Sequence, residues 1–114
     1  MPIVLQRIYE ETPRKGYRVL IDRLWPRGVT KAEAALDEWC KGLAPSAELR
    51  SWFGHDPEKW ESFRKKYRAE LKPNREEAEA LLHRAGKKNL VLLYAAKDEA
   101  HCNAQVLKDY LSSL

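Results

Sequence analysis

Cysteines, long apolar runs and secretion signals are scarce in this sequence. Its two cysteines, Cys40 and Cys102, lack the close spacing of zinc-ligand pairs, so a disulfide scaffold is excluded and no metal site is predicted. The longest apolar run has seven residues, at positions 90–96, whereas a membrane helix needs roughly 20. The N-terminus lacks the basic start and apolar stretch of a secretory signal. We therefore expect a soluble cytoplasmic protein that does not associate with membranes.

Cofactor-binding motifs are also missing. The sequence has no glycine-rich dinucleotide fingerprint, no phosphate-binding P-loop and no G-x-S-x-G nucleophile elbow. No cofactor is therefore predicted. A chain of 114 residues, with 44% hydrophobic and 33% charged residues, suits one globular domain over residues 1–114.

The apolar pattern predicts an α/β fold. Strands are predicted at 3–9, 17–24 and 89–96, and the last is apolar enough to be buried on both faces. Helix start and stop signals predict helices at 31–41, 47–53, 57–72, 74–86 and 98–114. This order predicts a small sheet of three to four strands, at least partly parallel and covered by helices. We expect parallel pairing between the second and third predicted strands.

Several finer features accompany this prediction. Asn74 with Glu77 resembles a capping box, and Asp98 is the expected cap of the last helix. Trp39, Trp52 and Trp60 are predicted to lie on helices and to pack into the core. Trp25, after the second predicted strand, is the one tryptophan placed to form a ligand-binding wall.

The net charge of +4 lies entirely in residues 1–31, because the basic and acidic groups of the remaining residues balance. Such a local basic field attracts a phosphate, a carboxylate or a nucleic-acid backbone. The alternative is an ordinary solvated basic surface.

The first candidate site is the segment 22–28 (DRLWPRG), where a predicted strand ends and a loop begins. Ligands of open α/β sheets bind outside the carboxyl ends of the strands. Arg23 and Arg27 are predicted to hold an anion, since guanidinium groups meet oxyanions bidentately, and Trp25 would form a flat wall. Asp22 is a candidate acid–base group. The alternative is that Asp22 forms a structural ion pair and Trp25 packs into the core.

The second candidate segment, 94–103, follows the last predicted strand. Lys97 and Asn103 are predicted ligand contacts, and His101 is a candidate proton carrier. The start of a helix would lower the pKa of the Cys102 thiol, although a buried cysteine is commoner than a reactive one. His55, in a loop between two predicted helices, is a further acid–base candidate.

Motifs along the whole chain resemble a known family. They are YRVLIDRLWPRG (17–28), LDEWCKGLAPSAELR (36–50), WFGHDPEKW (52–60), YRAEL (67–71) and LYAAKDEAHCNAQVLKDYL (93–111). Together they are similar to the YeaO-like branch of domain-of-unknown-function family 488. The resemblance implies a compact cytoplasmic α/β protein and implies no reaction.

The wider superfamily ends one strand in a D-V-R-like segment, which Asp22 and Arg23 match, and follows a later strand with a C-x-E…C-H-R pattern. Tyr94 stands at its first cysteine and Ala96 at its glutamate. Cys102 stands at its second cysteine, and the Asn103-Ala104 pair replaces histidine and arginine. This branch therefore lacks most of the pattern's ionisable groups, and the resemblance does not carry cysteine or metal chemistry to this chain.

Three functions follow from these features. The leading hypothesis is a small-anion pocket at the carboxyl edge of the sheet, belonging to a hydrolase or transferase if it is catalytic. The alternative is a nucleic-acid-binding module that uses the basic N-terminal quarter, with Tyr9, Tyr17 and Trp25 as stacking faces. The third is a non-catalytic interaction domain, with a homodimer as one of its forms.

Overall fold

The computed structural model describes residues 2–10 and 13–114 and has a four-stranded parallel sheet at its centre. The strands are β1 (Ile3–Arg7), β2 (Tyr17–Leu20), β3 (Glu38–Trp39) and β4 (Leu90–Tyr94), in the order β1-β4-β2-β3. β4 pairs in parallel with both β1 and β2, and β2 pairs in parallel with β3. The α/β fold and the predicted parallel pairing of the second strand are confirmed.

Five α-helices accompany the sheet in the described residues. They are α1 (Lys31–Ala34), α2 (Ala47–Phe53), α3 (Trp60–Leu71), α4 (Arg75–Ala85) and α5 (Asn103–Ser112), and three single turns of 3₁₀-helix lie at 41–43, 57–59 and 72–74. None of the helices described is both long and apolar enough to cross a bilayer.

The two faces of β4 enter separate hydrophobic clusters. Leu90, Leu92 and Tyr94 join the larger cluster, which includes the buried stripe of α3 formed by Phe63, Tyr67 and Leu71. Val91 and Leu93 join a smaller cluster on the opposite face, with Leu20 and Ala34. Burial on both faces explains why β4 is wholly apolar, as parallel strands of α/β folds are.

The prediction of one long helix over 31–41 is wrong. Ala35 adopts a left-handed conformation and ends α1, and the chain then forms the edge strand β3. Tertiary contacts cause this break. The Arg18 side chain donates hydrogen bonds to the carbonyls of Ala34 and Ala35, and the Asp37 carboxylate accepts one from the Arg18 backbone N–H. Trp39 consequently lies in a strand rather than a helix.

The last helix begins later than its predicted start at residue 98. The Asp98 carboxylate accepts hydrogen bonds from the backbone N–H groups of Ala100 and His101, which closes a local turn in place of a helical one. Cys102 is the N-cap residue, and α5 starts at Asn103.

Two finer predictions are also corrected. Asn74 forms no capping box with Glu77; its side-chain amide donates instead to the carbonyls of Gly42 and Glu70. Trp52 is exposed rather than part of the core. The contact of Asn74 with Gly42 joins elements that are distant in sequence, which a local pattern does not show.

All four strands run in the same direction, so their carboxyl ends meet at one edge of the sheet. β1, β2 and β4 end there at Arg7, Leu20 and Tyr94, a few residues earlier than the predicted strand ends of β1 and β2. The segments that leave this edge surround the candidate site.

Candidate functional site

A cavity of about 820 Å³ opens at the carboxyl edge of the sheet. Its walls come from the segments that follow β1, β2 and β4, together with the end of α2 and the loop after it. Seven of the predicted site residues line it: Asp22, Arg23, Trp25, Arg27, His55, Lys97 and Asn103. Tyr9, Arg50, Ser51, Phe53 and Cys102 also contribute to the lining. The two candidate segments, far apart in sequence, therefore meet at one opening.

Asp22 joins the two central strands at the base of this cavity. Its Oδ2 accepts a hydrogen bond from the backbone N–H of Ala95, at 2.9 Å, and its Oδ1 accepts one from the Asn103 amide, at 3.0 Å. The Asn103 amide also donates to the Ile21 carbonyl, at 3.1 Å. Burial raises the pKa of Asp22 above its ordinary value, although these hydrogen bonds oppose the shift. Through these hydrogen bonds Asp22 connects the end of β2 to the end of β4 and to the start of α5.

Arg23 and Trp25 each line the cavity and are each held by one hydrogen bond to a backbone carbonyl. Arg23 Nε donates to the Pro45 carbonyl at 3.1 Å, and Trp25 Nε1 donates to the Val29 carbonyl at 2.7 Å. The Trp25 ring also meets Trp39 edge to face, with 5.3 Å between ring centroids. Trp25 thus joins the smaller hydrophobic cluster and the cavity wall at once, which reconciles the two alternatives left open by the sequence.

The cations of the cavity form no ion pair among the described residues. Among the described residues, Arg23, Arg27, Arg50 and Lys97 have no carboxylate within ion-pair distance. The carboxylates of the lining are already engaged: Asp22 as described above, and Asp98 with two backbone N–H groups and the His101 ring. The cavity therefore presents cations that form no direct ion pair in the described chain, and the charge of Arg50 opposes the rise in the pKa of the buried Asp22.

His55 lines the cavity in an unusual backbone conformation. Both Gly54 and His55 have positive φ, 53° and 58°, directly after the C-terminus of α2. A non-glycine residue in this region is uncommon, and such positions cluster at functional sites. The His55 ring packs near Phe53, and within the described chain its nitrogens form no hydrogen bond.

His101 stands apart from the residues that line the cavity. Its Nδ1 lies 2.8 Å from Asp98 Oδ2, and its ring meets Trp60 edge to face at 5.3 Å. The late start of α5 explains this placement, because His101 belongs to the turn before the helix. The structure thus gives the predicted proton carrier an internal partner and no place in the cavity wall.

Cys102 belongs to the cavity lining and is almost fully buried. Its thiol donates to the Glu99 carbonyl at 3.5 Å, and burial raises its pKa above the ordinary value. A raised pKa keeps the thiol protonated at neutral pH, and the thiolate is the reactive form. The environment is therefore the opposite of the one that activates a cysteine. No cluster of three potential metal-ligating side chains occurs in residues 2–10 and 13–114.

Sequence reasoning missed Arg50 and the role of Tyr9 in the lining. Arg50 lies in the last turn of α2, and no local pattern shows that this helix ends at the sheet edge. Of the three predicted stacking aromatics, Tyr17 donates to Glu38, Trp25 packs on Trp39, and Tyr9 is exposed. The basic N-terminal quarter is also less free than its charge suggests, because Arg18 is buried.

Comparisons with known proteins agree with the motif resemblance. A family model described as the inactive DUF488-N3 subclade matches residues 2–114. The uncharacterised protein YeaO of Escherichia coli is 44% identical over 115 residues, which cover 100% of both chains. The uncharacterised proteins Rv3073c of Mycobacterium tuberculosis and Mb3100c of Mycobacterium bovis are each 38% identical over 107 residues, covering 93% of this chain and 90% of theirs. No solved structure matches. The chain therefore belongs to the DUF488-N3 group of the domain-of-unknown-function 488 proteins, in the subclade described as inactive.

Proposed function

We propose that this chain binds a small anionic ligand in the cavity at the sheet edge and does not transform it. The observation that carries the proposal is the set of four cations, Arg23, Arg27, Arg50 and Lys97, that line one cavity and form no ion pair among the described residues. A concave site with fixed charge of one sign focuses the field and concentrates a counter-ion.

Arginine suits this task better than lysine does. Its planar guanidinium gives two parallel hydrogen bonds to a carboxylate or phosphate, so an anion between Arg23 and Arg50 would be held in a defined orientation. Arg23 Nε donates to the Pro45 carbonyl, which fixes the side chain. Its two terminal nitrogens have no partners in the described chain. A guanidinium positioned in advance loses less entropy on binding.

Binding without turnover is supported by the state of Asp22, His101 and Cys102. His55 lines the cavity, but no hydrogen bond in the described chain orients its ring as that of a general base. Both Asp22 oxygens accept internal hydrogen bonds, His101 lies outside the cavity wall, and burial raises the pKa of Cys102. At the positions of the wider superfamily's cysteine and glutamate stand Tyr94, which is buried, and Ala96. The description of the matching family model as inactive points the same way. We therefore favour a binding protein over a hydrolase or transferase.

Isothermal titration with inorganic phosphate, pyrophosphate and succinate tests the proposal. We expect the wild-type chain to bind at least one probe, and Arg23→Met and Arg50→Met each to weaken that binding about tenfold or more. Arg64→Met is the matched control, because Arg64 lies on α3 outside the cavity and pairs with Glu61 at 3.3 Å. Its affinity should equal that of the wild type.

Two outcomes would overturn parts of this proposal. If no probe binds at millimolar concentration, or if all three variants bind equally, the cavity is not an anion site. Following bound pyrophosphate by ³¹P NMR tests the second part, and its hydrolysis by the wild type but not by Arg50→Met would show that the site is catalytic.

A further inference from the structure

Two large apolar side chains in the lining of the same cavity, Tyr9 and Leu24, are exposed. Among the described residues, four large hydrophobic side chains are exposed: Tyr9 (41%), Leu24 (60%), Trp52 (39%) and Leu114 (37%). Tyr9 and Leu24 both line the cavity that holds the unpaired cations. Exposed apolar side chains that cluster beside a concavity mark a surface that a ligand covers. An inorganic anion would leave them uncovered.

Tyr9 is held rigidly despite its exposure. Its hydroxyl donates to the Arg27 carbonyl at 3.0 Å, and the Arg7 guanidinium lies over its ring, 4.8 Å from the centroid. Arg7 is fixed in turn, because its Nε donates to the carbonyls of Ala95, at 3.3 Å, and Ala96, at 3.1 Å. The Arg7 guanidinium therefore covers one face of the Tyr9 ring. The exposed 41% of Tyr9 belongs to the other parts of the side chain.

We infer that the ligand carries a flat aromatic ring that stacks on Tyr9 in addition to an anionic group, which makes it a mononucleotide or an aryl phosphate. This inference rests on the proposed function, since it adds a second contact to the same bound anion. An aromatic side chain fixed before binding is an efficient stacking surface, and every nucleobase has a flat face to offer it. Arg7 behind Tyr9 strengthens the platform through the attraction between a cation and an aromatic face.

The size of the cavity agrees with such a ligand. At about 820 Å³, the cavity lies within the range of sites for molecules of drug size. Such sites combine mostly apolar walls with a few placed polar groups. Here Tyr9 and Leu24 supply apolar surface, and Arg23 and Arg50 supply the charge. A nucleotide would place its base against the apolar side chains and its phosphate against the two arginines.

Pairs of probes that differ only in the ring test the inference. AMP is titrated against ribose 5-phosphate, and phenyl phosphate against inorganic phosphate. We expect the ring-bearing member of each pair to bind the wild type about tenfold more tightly, a size consistent with the stacking of one ring on an aromatic side chain. Tyr9→Ala should remove this preference, so that the variant binds AMP and ribose 5-phosphate with equal affinity.

Three further variants separate the possible causes. Tyr9→Phe keeps the ring and should preserve most of the preference for AMP. Tyr9→Leu keeps apolar volume without a flat face and should lose the preference, and it replaces Tyr9→Ala if that variant fails to fold by circular dichroism. Arg50→Met should weaken AMP and ribose 5-phosphate by the same factor, because both carry the phosphate.

The outcomes distinguish this inference from the proposed function. If ribose 5-phosphate and AMP bind the wild type equally, the ring contact is absent while the anion site stands. Retention of the AMP preference by both Tyr9→Ala and Tyr9→Leu would likewise overturn the stacking on Tyr9. If none of the four probes binds, the anion site itself is refuted.

Discussion

Arg18 and Arg50 carry the same guanidinium group in opposite surroundings. Arg18 is 8% exposed, and its side chain donates to Gln6 Oε1 and to the carbonyls of Arg14, Ala34 and Ala35. Arg50 is exposed at the cavity, and its side chain donates to nothing in the described chain. The first guanidinium joins three segments of the fold, and the second forms no side-chain hydrogen bond within the described chain.

The number of internal hydrogen bonds separates these roles better than net charge does. Both arginines contribute equally to the basic composition, but a buried donor must be satisfied by the protein itself. A guanidinium fits the buried position of Arg18, because this planar group donates to four acceptors in three segments of the chain. The same shape in Arg50 is available to an oxyanion. Stability and binding measurements on matched variants can therefore sharpen or break the distinction.

The largest expected effect is that of Arg18→Met on stability. The substitution removes a buried donor from the carbonyls of Arg14, Ala34 and Ala35 and one of the donors to Gln6 Oε1, and we expect the free energy of unfolding to fall by about 3 kcal/mol. Urea denaturation followed by circular dichroism measures this loss.

Arg18→Lys is the informative control. Lysine keeps the positive charge but cannot meet four acceptors in the same geometry, so most of the loss should remain. If Arg18→Lys were as stable as the wild type, charge rather than hydrogen-bond geometry would be the contribution of Arg18, and the contrast with Arg50 would lose its basis.

Asp22→Asn is expected to have an intermediate effect that depends on pH. The amide cannot accept at both positions, where Ala95 and Asn103 donate to Asp22, and we expect a loss of about 1 to 2 kcal/mol near pH 3. Because burial raises the folded-state pKa of Asp22, the wild type loses stability as pH rises through the window above 3.8, its ordinary value. Asparagine does not titrate, so the deficit of the variant should shrink between pH 3 and pH 7.

Parallel urea titrations of both proteins at pH 3 and pH 7 measure this change. A deficit that grows with pH would mean that the hydrogen bonds to the charged carboxylate outweigh its burial. Asp22 would then stabilise the fold through its charge, and the cavity would contain a carboxylate that the protein keeps ionised.

Features of the fold that depend on local pattern were predictable from the sequence. The stripe Phe63, Tyr67 and Leu71 follows helical periodicity, and β4 is a continuous apolar run, so burial alone fixes both. The strand β3 was not predictable, because its two residues, Glu38 and Trp39, read locally as part of a helix. Its formation depends on the contacts that Arg18 makes with the preceding turn.

Six of the seven predicted residues that line the cavity lie in the segments that follow β2 and β4, and His55, in the loop after α2, is the exception. Arg23 and Arg27 come directly after β2, so the strand-end rule places them at the carboxyl edge. Arg50 comes from a helix whose position against that edge is set by packing. His101 was predicted to lie in the first turn of the last helix, facing the site. The turn formed by Asp98 delays the start of that helix to Asn103, so the His101 side chain contacts Asp98 instead.

Arg84→Met tests a third class of arginine, paired but on the surface, and its expected effect is smaller. Arg84 meets Glu38 through two hydrogen bonds, of 2.9 and 2.6 Å. Exposed ion pairs contribute little, so we expect a loss of roughly 0.5 kcal/mol that shrinks when the salt concentration is raised. If the same urea experiment gave a loss as large as that of Arg18→Met, internal pairing rather than burial would determine how much stability is lost when an arginine is replaced.

Arg50→Met should have the smallest effect on stability. With no internal hydrogen bond to lose, the free energy of unfolding should stay within about 0.5 kcal/mol of the wild type. A bound anion stabilises the folded state in proportion to the logarithm of its concentration over its dissociation constant. Phosphate at a concentration above its dissociation constant should therefore raise the melting temperature of the wild type and of Arg64→Met, and should raise that of Arg50→Met by less. If Arg50→Met were strongly destabilised without phosphate, its guanidinium would be as structural as that of Arg18, and the division between arginines that build and arginines that bind would fail.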